Sequence, residues 1–398
     1  MAERLPVTVL SGFSGAGKTA LLDHVRAHAD GRRVAALVDG PDLLADIGRV
    51  AREGGHDAVI VETDATAEPI AIAELFAFED AHGHDGVAEA GYRLDTLVTV
   101  VDAATLLRDW HDADFLADRG LVEAGEDDRT VVDVLVEQIE GCDVLVLNHI
   151  DEADAETLAR ARALVRALNP RAELVESVRG AVPAARMLDT GRFDVDTTFS
   201  NSGWQLALRG KPLPAADGIG ACVYRRRRPF HPQRFADLIH TEWMREHGDV
   251  LRSKGLFWLA TRMDVAGEWA QAGGVCRPGG AGAWWSALDA GDWPHDADAR
   301  AEIEAEMEGP FGDRRQELVL IGRELDADAL VALLDACLLN DDEMAAGPDA
   351  WAAYADPFPS WADDHDHDHG KDRDHDHGDH GHDHDHDHDD QCGCGHAH

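Results

Sequence analysis

Apolar residues gather in five short runs along the first part of the chain. The runs are "VTVLSG", "RRVAALVDG", "DAVIVET", "LDTLVTVVDA" and "CDVLVLNHID". They are nearly uninterrupted and rich in β-branched residues, which predicts buried strands. Helical spacing follows the first two runs, in "KTALLDHVRAHA" and "PDLLADIGRVAREGG". Strands and helices that alternate in this way predict an α/β fold, with a parallel sheet covered by helices on both faces.

The pattern changes after residue 200. Residues 201–218 are rich in polar residues, glycine and proline, which predicts a linker. Beyond it, strands are predicted in "IGACVYRRRRPF", "LRSKGLFWLA", "GEWAQAGGV" and "QELVLIG", with helices in "HPQRFADLIHTEWMREH" and "DADALVALLDACLL". Strands that follow one another directly predict a smaller α+β domain. We therefore expect a nucleotide-binding domain at 1–200, an α+β domain at 219–345 and a disordered His/Asp-rich tail at 346–398, which cannot bury a core.

The charge of the chain narrows the range of partners. The formal net charge is −42, so the surface is unsuited to neutralising phosphate backbones or an anionic membrane, and we expect neither nucleic acid nor membrane as a partner. The first residues lack a signal-peptide pattern, no window reaches membrane-spanning length, and the six cysteines do not form a disulfide framework. These features predict a cytoplasmic protein and leave its oligomeric state open.

A phosphate-binding motif stands at the first strand-to-helix turn. The pattern G-x-x-x-x-G-K-[ST] lets backbone N–H groups surround phosphate oxygens, while Lys18 reaches the β- and γ-phosphates and Thr19 offers a hydroxyl to Mg²⁺. A chance glycine-rich turn is the alternative, but the flanking strand and helix favour the functional interpretation. The predicted nucleotide-binding residues are Gly12, Ser14, Gly15, Ala16, Gly17, Lys18 and Thr19.

The fifth apolar run ends in a pattern that resembles a guanine-reading motif. Asn148 and Asp151 occupy the outer positions of N-K-x-D, and His149 replaces the lysine. A carboxylate there accepts hydrogen bonds from the N1 and amino protons that adenine lacks, so guanine is favoured, and a flat imidazole could lie on the purine face. Two alternatives remain open, a simple polar cap at the end of a strand and an ATP-dependent P-loop kinase or ligase.

Motifs from both predicted domains resemble one family. In order, they are "GFSGAGKTALL", "VIVETDATAEP", "VTVVDA", "LNHID", "RALNPRAEL", "LDTGRFD", "RRPFHPQRF", "RSKGLFWLATR", "QAGG" and "FGDRRQELVLIG". Together they resemble the CobW family of P-loop GTPases over residues 5–345. The resemblance implies GTP hydrolysis by a metallochaperone or metal insertase that handles zinc or cobalt. It also implies that Lys18 and Thr19 act in catalysis with Glu62, the acidic Walker B residue near Mg²⁺.

The sequence departs from this family at three places. Ala65 stands where the family usually has the glycine of E-x-x-G, and Asp39 with Gly40 replaces an Asn-Glu pair. An internal C-x-C-C metal motif is missing between the second and third strands, since no cysteine precedes Cys142. The family's usual coupling between bound metal and nucleotide is therefore expected to be absent from that position.

The end of the chain offers another set of metal ligands. Cys392, Cys394, His396 and His398 form C-x-C-x-H-x-H, two thiolates and two imidazoles suited to a tetrahedral zinc site. Alternating histidine and aspartate precede them and suit divalent transition metals. Solubility alone is the alternative role of such a tail. A cluster at residues 82–85, "HGHD", is a weaker candidate, because exposed loop histidines are common.

The sequence thus predicts a slow GTPase that uses GTP and Mg²⁺ and carries Zn²⁺ or Co²⁺ to a client metalloprotein. Slow turnover is expected because no arginine finger or water-positioning glutamine is identifiable. The alternative is a nucleotide-binding metal buffer or storage protein with little turnover. Ala65 and the missing thiolate motif favour that alternative, whereas Lys18, Thr19 and Glu62 oppose it.

Overall fold

A six-stranded parallel sheet forms the first half of the computed structural model, which describes residues 4–82, 91–200, 202–213, 218–241 and 243–361. Its strands follow the order β2-β3-β1-β4-β5-β6. Because every pairing is parallel, all the carboxyl ends lie at one edge of the sheet. The strands are β1 Leu5–Gly12, β2 Val34–Val38, β3 Ala58–Glu62, β4 Tyr92–Asp102, β5 Val144–Asn148 and β6 Glu173–Glu176. The predicted α/β class is confirmed.

Helices cover both faces of this sheet. Leu10 of β1 packs in a cluster with Leu21 of α1, whereas Val9, which points the other way, packs with Ile47 of α2 and Ile72 of α3. This alternation along one strand shows that the sheet is buried on both sides. The helices are α1 Lys18–Ala27, α2 Leu43–Glu53, α3 Pro69–His82, α4 Leu106–His111, α5 Val131–Glu140, α6 Ala155–Leu168, α7 Val195–Ser200 and α8 Gly203–Leu208.

The start of α1 differs from those of α5 and α6. Thr130 and Asp133 form a capping box on α5, and the Asp154 side chain accepts a hydrogen bond at the start of α6. No side chain caps α1, which begins after Gly17 in a left-handed conformation. The amino end of α1 therefore turns its first N–H groups toward the edge of the sheet, as anion binding requires.

An antiparallel five-stranded sheet forms the second domain, ordered β10-β9-β8-β11-β7. The strands are β7 Ile219–Arg226, β8 Asp249–Phe257, β9 Val265–Ala272, β10 Val275–Ala283 and β11 Gln316–Arg323. Its helices are α9 Pro232–Ile239, α10 Trp243–Glu246, α11 Ala297–Glu306, α12 Ala327–Cys337, α13 Asp341–Ala346 and α14 Pro348–Trp351, and short 3₁₀ turns occur at 184–186, 285–287 and 309–311. The predicted α+β domain is confirmed.

The two sheets share one hydrophobic core. Trp110 of α4 and Val136 of α5 belong to the same buried cluster as Leu251 of β8 and Val319 of β11. The turn between β9 and β10 also approaches α4 closely, because a Cβ at Gly273 would lie 1.8 Å from the Trp110 carbonyl oxygen. Helices α4 and α5 therefore connect the domains through packing as well as through charge.

Two predicted boundaries differ from the structure. The predicted linker contains α8, where a Cβ at Gly203 would lie 1.8 Å from the Ala167 carbonyl oxygen, so the helix packs directly on α6. The predicted tail contains α14, whose Trp351 is fully buried and packs 6.4 Å from Trp258 between ring centroids. Tertiary contacts of a few apolar residues outweigh the polar composition on which both predictions relied. Within the described parts of the chain, no helix is both long enough and apolar enough to cross a bilayer.

Candidate nucleotide and magnesium site

The phosphate loop occupies the carboxyl end of β1 and depends on two glycines. A Cβ at Gly12, where φ is +144°, would lie 2.4 Å from the carbonyl oxygen of Val100 on β4. A Cβ at Gly17, where φ is +97°, would lie 2.5 Å from Nδ2 of Asn148. Neither position has room for a side chain, so both glycines are required by backbone conformation and by close approach. Ser14 and Gly15 are exposed at the rim of the loop.

Lys18 spans the loop from the first turn of α1. Its Nζ donates a hydrogen bond to the Gly12 carbonyl oxygen at 2.5 Å. Burial lowers the pKa of the Lys18 ammonium, and the carboxylates of Glu62 and Asp64 act in the opposite direction. The loop thus holds a partly desolvated cation directly at the point where the sequence predicts phosphate.

Thr19 and Glu62 meet beside that cation. Glu62 ends β3, whose register aligns it with Leu10 of β1. The Thr19 hydroxyl donates to Glu62 Oε1 at 2.6 Å. A hydroxyl and a carboxylate are the hard oxygen donors that Mg²⁺ takes, directly or through its water shell. The residues present therefore fit Mg²⁺.

Two further carboxylates stand at the same edge. The Asp39 backbone N–H, just after β2, donates to the Glu62 carbonyl oxygen at 3.0 Å. Burial raises the pKa of the Asp39 carboxyl, and the nearby charge of Asp64 raises it further. Sequence reasoning left Asp39 unassigned and overlooked Asp64. Asp39 and Asp64 follow the ends of β2 and β3 by one and two residues. Because the carboxyl ends of parallel strands lie at one edge of the sheet, these positions could have identified both residues from the sequence.

The loop after Glu62 is held by groups near α5. The Gln138 amide donates to the carbonyl oxygens of Ala65 and Ala67 at 3.0 and 3.1 Å. Arg129 donates to the Thr66 carbonyl oxygen at 3.1 Å. Ala65 is not among the described non-glycine residues with positive φ, so the substitution for glycine strains nothing here. The loop that follows Glu62 therefore depends on α5 and Arg129 for its shape.

Asn148 connects the phosphate loop to the loop after β6. It is fully buried, and its amide donates to the Ala16 carbonyl oxygen at 3.0 Å. Its Oδ1 accepts from the Ser177 hydroxyl at 2.7 Å and from the Gly180 N–H at 3.0 Å. The predicted partner Asp151 is exposed three residues later. Asn148 thus holds the phosphate loop and the loop after β6 together through its side-chain amide. Ser177 and Gly180, which bond to it, are site residues that the sequence did not predict.

The predicted metal ligands of the tail, Cys392, Cys394, His396 and His398, lie outside the described residues, as do His84 and Asp85. Among the residues that are described, no group of three or more His, Cys, Asp or Glu side chains is arranged to hold a metal ion. The four described cysteines are free thiols, and burial raises the pKa of both Cys142 and Cys276 to about 12. Neither thiol is a ready thiolate ligand at neutral pH.

Two family models match the chain in the order of its domains. The family described as "CobW/HypB/UreG, nucleotide-binding domain" matches residues 6–42 and 39–176, and the "Cobalamin synthesis protein cobW C-terminal domain" matches residues 219–338. The CobW resemblance predicted from the motifs is confirmed. The matches cover both the parallel and the antiparallel sheet.

Individual proteins are similar over most of their length. A zinc-regulated GTPase metalloprotein activator of Dictyostelium discoideum is 32% identical over 402 residues, covering 89% of this chain and 84% of the relative. A zinc chaperone of Mycobacterium tuberculosis is 34% identical over 335 residues, covering 81% and 77%. The solved structure of Zn(II)-bound YjiA GTPase from E. coli aligns with 84% of this chain and 99% of its own, at 15% identity and a TM-score of 0.35. The fold assignment rests on the strand order given above, because that TM-score is low.

Proposed function

The chain belongs to the CobW/HypB/UreG family of P-loop GTPases, and from this premise we propose that it is a metallochaperone that couples GTP hydrolysis to delivery of zinc or cobalt. The observation that supports this most directly is the contact between Thr19 and Glu62 beside Lys18. A nucleotide-binding remnant would have no need to keep a magnesium-type oxygen pair beside a desolvated phosphate-binding cation.

In this proposal, the phosphate loop binds GTP through backbone N–H groups and Lys18, while Thr19 and Glu62 hold Mg²⁺. The ion would neutralise charge on the β- and γ-phosphates, and Lys18 would stabilise the charge that develops on the oxygen between them. Turnover is expected to be slow. Gln138 donates its amide to the carbonyl oxygens of Ala65 and Ala67, so this amide is committed to the backbone of the loop after Glu62.

Asp151 would read the base, with Asn148 holding the loops on either side of it. A carboxylate accepts from N1–H and the 2-amino group of guanine, whereas an amide at the same place matches the N1–H and 2-oxo groups of xanthine. Asp151→Asn should therefore exchange GTP for XTP as the preferred nucleotide. Glu152→Gln, at the exposed neighbouring position, is the matched control and should leave the preference for GTP unchanged. Preference for ATP by the unaltered protein would contradict this assignment.

Helix α5 provides a path from the nucleotide to the second domain. Arg129, just before α5, contacts Glu68 at 2.6 Å and Glu137 of α5 at 2.8 Å. Glu68 follows directly after the loop that begins at Glu62. One turn further along the same face of α5, Glu140 pairs with Arg252 of β8 at 3.0 Å. Rearrangement of that loop around the γ-phosphate would therefore move charges that are bonded to α5 itself.

A second pair extends the path to β10. Arg277 contacts Asp133 at 2.9 Å and donates to the Asp128 carbonyl oxygen at 2.7 Å. A cavity of about 430 Å³ lies among these pairs, lined by Arg129 and Arg277 among others. The open space leaves room for α5 to shift against the antiparallel sheet. We propose that the sheet uses this shift to release cargo to a client metalloprotein.

Zinc is the favoured cargo, because the relatives are named for it, and cobalt is the second candidate. The tail histidines with Cys392 and Cys394 would gather the ion, since they are the densest set of borderline-soft ligands in the sequence. The described cysteines are free thiols, which are typical of a reducing compartment, so we propose that the protein acts in the cytoplasm.

Steady-state GTP hydrolysis with Mg²⁺ tests the proposal, measured with and without substoichiometric Zn²⁺ or Co²⁺. Three proteins are compared, the whole chain, a chain that ends at Trp361, and a whole-length variant with Cys392→Ser, Cys394→Ser, His396→Ala and His398→Ala. Metal should change the rate of the whole chain only. If metal binds but GTP turnover is absent in all three, the nucleotide-binding metal buffer becomes the better description.

A further inference from the structure

We propose that Asp102 and His149 form a fixed aromatic platform for the guanosine part of the nucleotide, with Asp102 as the residue that positions the imidazole. The inference rests on the proposed function, because it concerns how GTP lies in the site. It adds a source of affinity for the nucleoside that the phosphate loop and Asp151 do not provide.

The topology of the sheet makes the two residues neighbours. Strands β4 and β5 are parallel, and Asp102 at the end of β4 is in register with Asn148 at the end of β5. The Ala103 N–H donates to the Asn148 carbonyl oxygen at 2.9 Å, which carries the pairing one residue past the strands. His149 therefore begins its turn directly beside the Asp102 carboxylate.

A short network fixes the imidazole in one orientation. His149 Nδ1 lies 3.0 Å from Asp102 Oδ2, and Asp102 Oδ1 accepts from the Ala104 N–H at 2.8 Å. An ionised carboxylate only accepts hydrogen bonds, so Nδ1 is the donor and Nε2 is the nitrogen directed elsewhere. The side chains of His149 and Asp102 are 20% and 18% exposed. The pair is thus largely covered, and the carboxylate is held through both of its oxygens.

The backbone also determines where the ring points. His149 has φ of +56°, in the left-handed region where histidine is enriched among non-glycine residues. Its carbonyl oxygen accepts from the Glu152 N–H at 3.0 Å, which closes the turn. With the turn closed and Nδ1 bonded, the ring has little rotational freedom left, so little entropy is lost when a ligand packs on it.

The His149 ring lies next to the phosphate loop. His149 Nε2 is 3.6 Å from the position that a Cβ would take at Gly17, the last residue of the phosphate loop before α1. Asp151, which would read the base, follows two residues later. In the proposal, a nucleotide with its phosphates at Gly17 and its base at Asp151 passes over the His149 ring. An aromatic surface under a base contributes about 1–3 kcal/mol to binding.

A double-mutant cycle separates this role from a structural one. GTP affinity is measured by titration calorimetry with Mg²⁺ for the whole chain and for Asp102→Asn, His149→Ala and the combined variant. Asp102→Asn should weaken GTP binding about 5- to 30-fold, as expected for a loosened stacking surface, and His149→Ala by about the same factor. In the His149→Ala background, Asp102→Asn should have no further effect on affinity.

Two more variants sharpen the test. His149→Phe keeps an aromatic surface without nitrogens, so it should retain most of the affinity and make Asp102→Asn neutral in that background. Asp57→Asn breaks an exposed pair with Arg33, 3.1 Å apart, and is the matched control for loss of a surface carboxylate. Asp102→Asn should also act through KM, since the ring does not contact the reacting phosphate.

Several results would overturn the inference. Equal weakening by Asp102→Asn with and without His149, together with a lower Tm in both backgrounds, would mean that Asp102 only holds the sheet edge. An unchanged GTP affinity in Asp102→Asn would also reject the platform. If the unaltered protein binds no GTP, the proposed function fails and this inference fails with it. If the unaltered protein binds GTP but the losses of affinity in Asp102→Asn and His149→Ala add up in the combined variant, the platform is rejected and the proposed function stands.

Discussion

The nucleotide edge of the parallel sheet and the face of α5 toward the antiparallel sheet are both rich in carboxylates, but the carboxylates are bonded differently in the two regions. At the nucleotide edge, Lys18 stands among the carboxylates of Glu62, Asp64 and Asp39. At the α5 face, the carboxylates bond directly to arginines, and Arg129 contacts Asp127, Glu68 and Glu137.

This difference indicates that one region binds a ligand and the other holds the two domains together. Carboxylates grouped around a lysine whose ammonium bonds to a backbone carbonyl oxygen suit a site that is completed by Mg²⁺, because the ion supplies further positive charge. Carboxylates that bond directly to arginines at the α5 face suit an interface that must hold two domains together and still shift. Substitutions in the first region should therefore impair chemistry with little loss of stability, and those in the second should do the reverse.

The largest expected effect is that of Lys18→Ala. Removing a cation that stabilises developing charge should lower kcat/KM for GTP about 10³-fold. The free energy of unfolding should not fall, because burial disfavours the Lys18 ammonium and its Nζ donates to a backbone carbonyl oxygen rather than to a carboxylate. Lys211→Ala, at an exposed lysine, is the control. A large loss of stability with Lys18→Ala would contradict the separation of the two regions.

Arg129→Met should show the opposite pattern. The partly buried carboxylates of Glu68 and Glu137 would lose their shared partner, which should lower the unfolding free energy by about 2 kcal/mol. Arg277→Met removes a more exposed arginine that pairs with one carboxylate, Asp133, and should cost less than about 1 kcal/mol. Urea denaturation at pH 8 measures both. Equal effects of the two variants would show that Arg129 is an ordinary surface pair.

Glu62→Gln examines the boundary between the regions, since Glu62 begins the loop that α5 holds. Loss of its charge should reduce turnover about 10- to 100-fold and raise the Mg²⁺ concentration needed for half-maximal activity. The measurement is a Mg²⁺ titration of GTP hydrolysis. Glu53→Gln, on the exposed end of α2, should leave the titration unchanged. An unaltered Mg²⁺ requirement in Glu62→Gln would exclude Glu62 from the magnesium site.

The smallest expected effect concerns pH. Burial, with the charge of Glu68, raises the pKa of the Glu137 carboxyl from 4.5 to about 7. Between those values the unfolded chain ionises this group more readily than the folded one, so its contribution to stability is present at low pH and is lost as the pH rises through 7. Glu137→Gln removes that loss.

The Tm of Glu137→Gln minus that of the unaltered protein should therefore increase from pH 5 to pH 8. Differential scanning calorimetry across this range provides the measurement. The same difference for Glu53→Gln, an exposed glutamate, should be nearly independent of pH. A Glu137→Gln difference that shrinks as pH rises would mean that Arg129, not burial, dominates the ionisation of Glu137.

Local sequence patterns were enough to predict the strands, the phosphate loop and the family. The runs that became β1 and β3 to β5 are apolar throughout because both faces of the sheet are covered, and that leaves a signal in consecutive residues. Gly12 and Gly17 had to be glycine for reasons of backbone conformation, which also shows in the sequence. The position of Glu62 at a strand end, together with the family resemblance, placed it near Thr19.

Composition failed where a few long-range contacts outweighed it. The stretch around α14 reads as polar and irregular, yet Trp351 is fully buried against Trp258 and Phe311, whose ring centroids lie 6.4 and 5.6 Å away. One large aromatic side chain can stabilise a turn of helix by burial. Averaging over neighbours hides such a residue, so the end of the second domain was predicted too early.

The sequence by itself determined that the chain forms a nucleotide-binding edge, because each part of that edge is a short motif of consecutive residues. Only the tertiary structure decided how the edge is braced and connected. Asn148 reaches Ala16, 132 positions away, and Arg129 reaches Glu68, 61 positions away. No local pattern encodes such pairs, since either partner alone is an ordinary polar residue, and the pairing exists only once parallel strands bring their carboxyl ends to one edge.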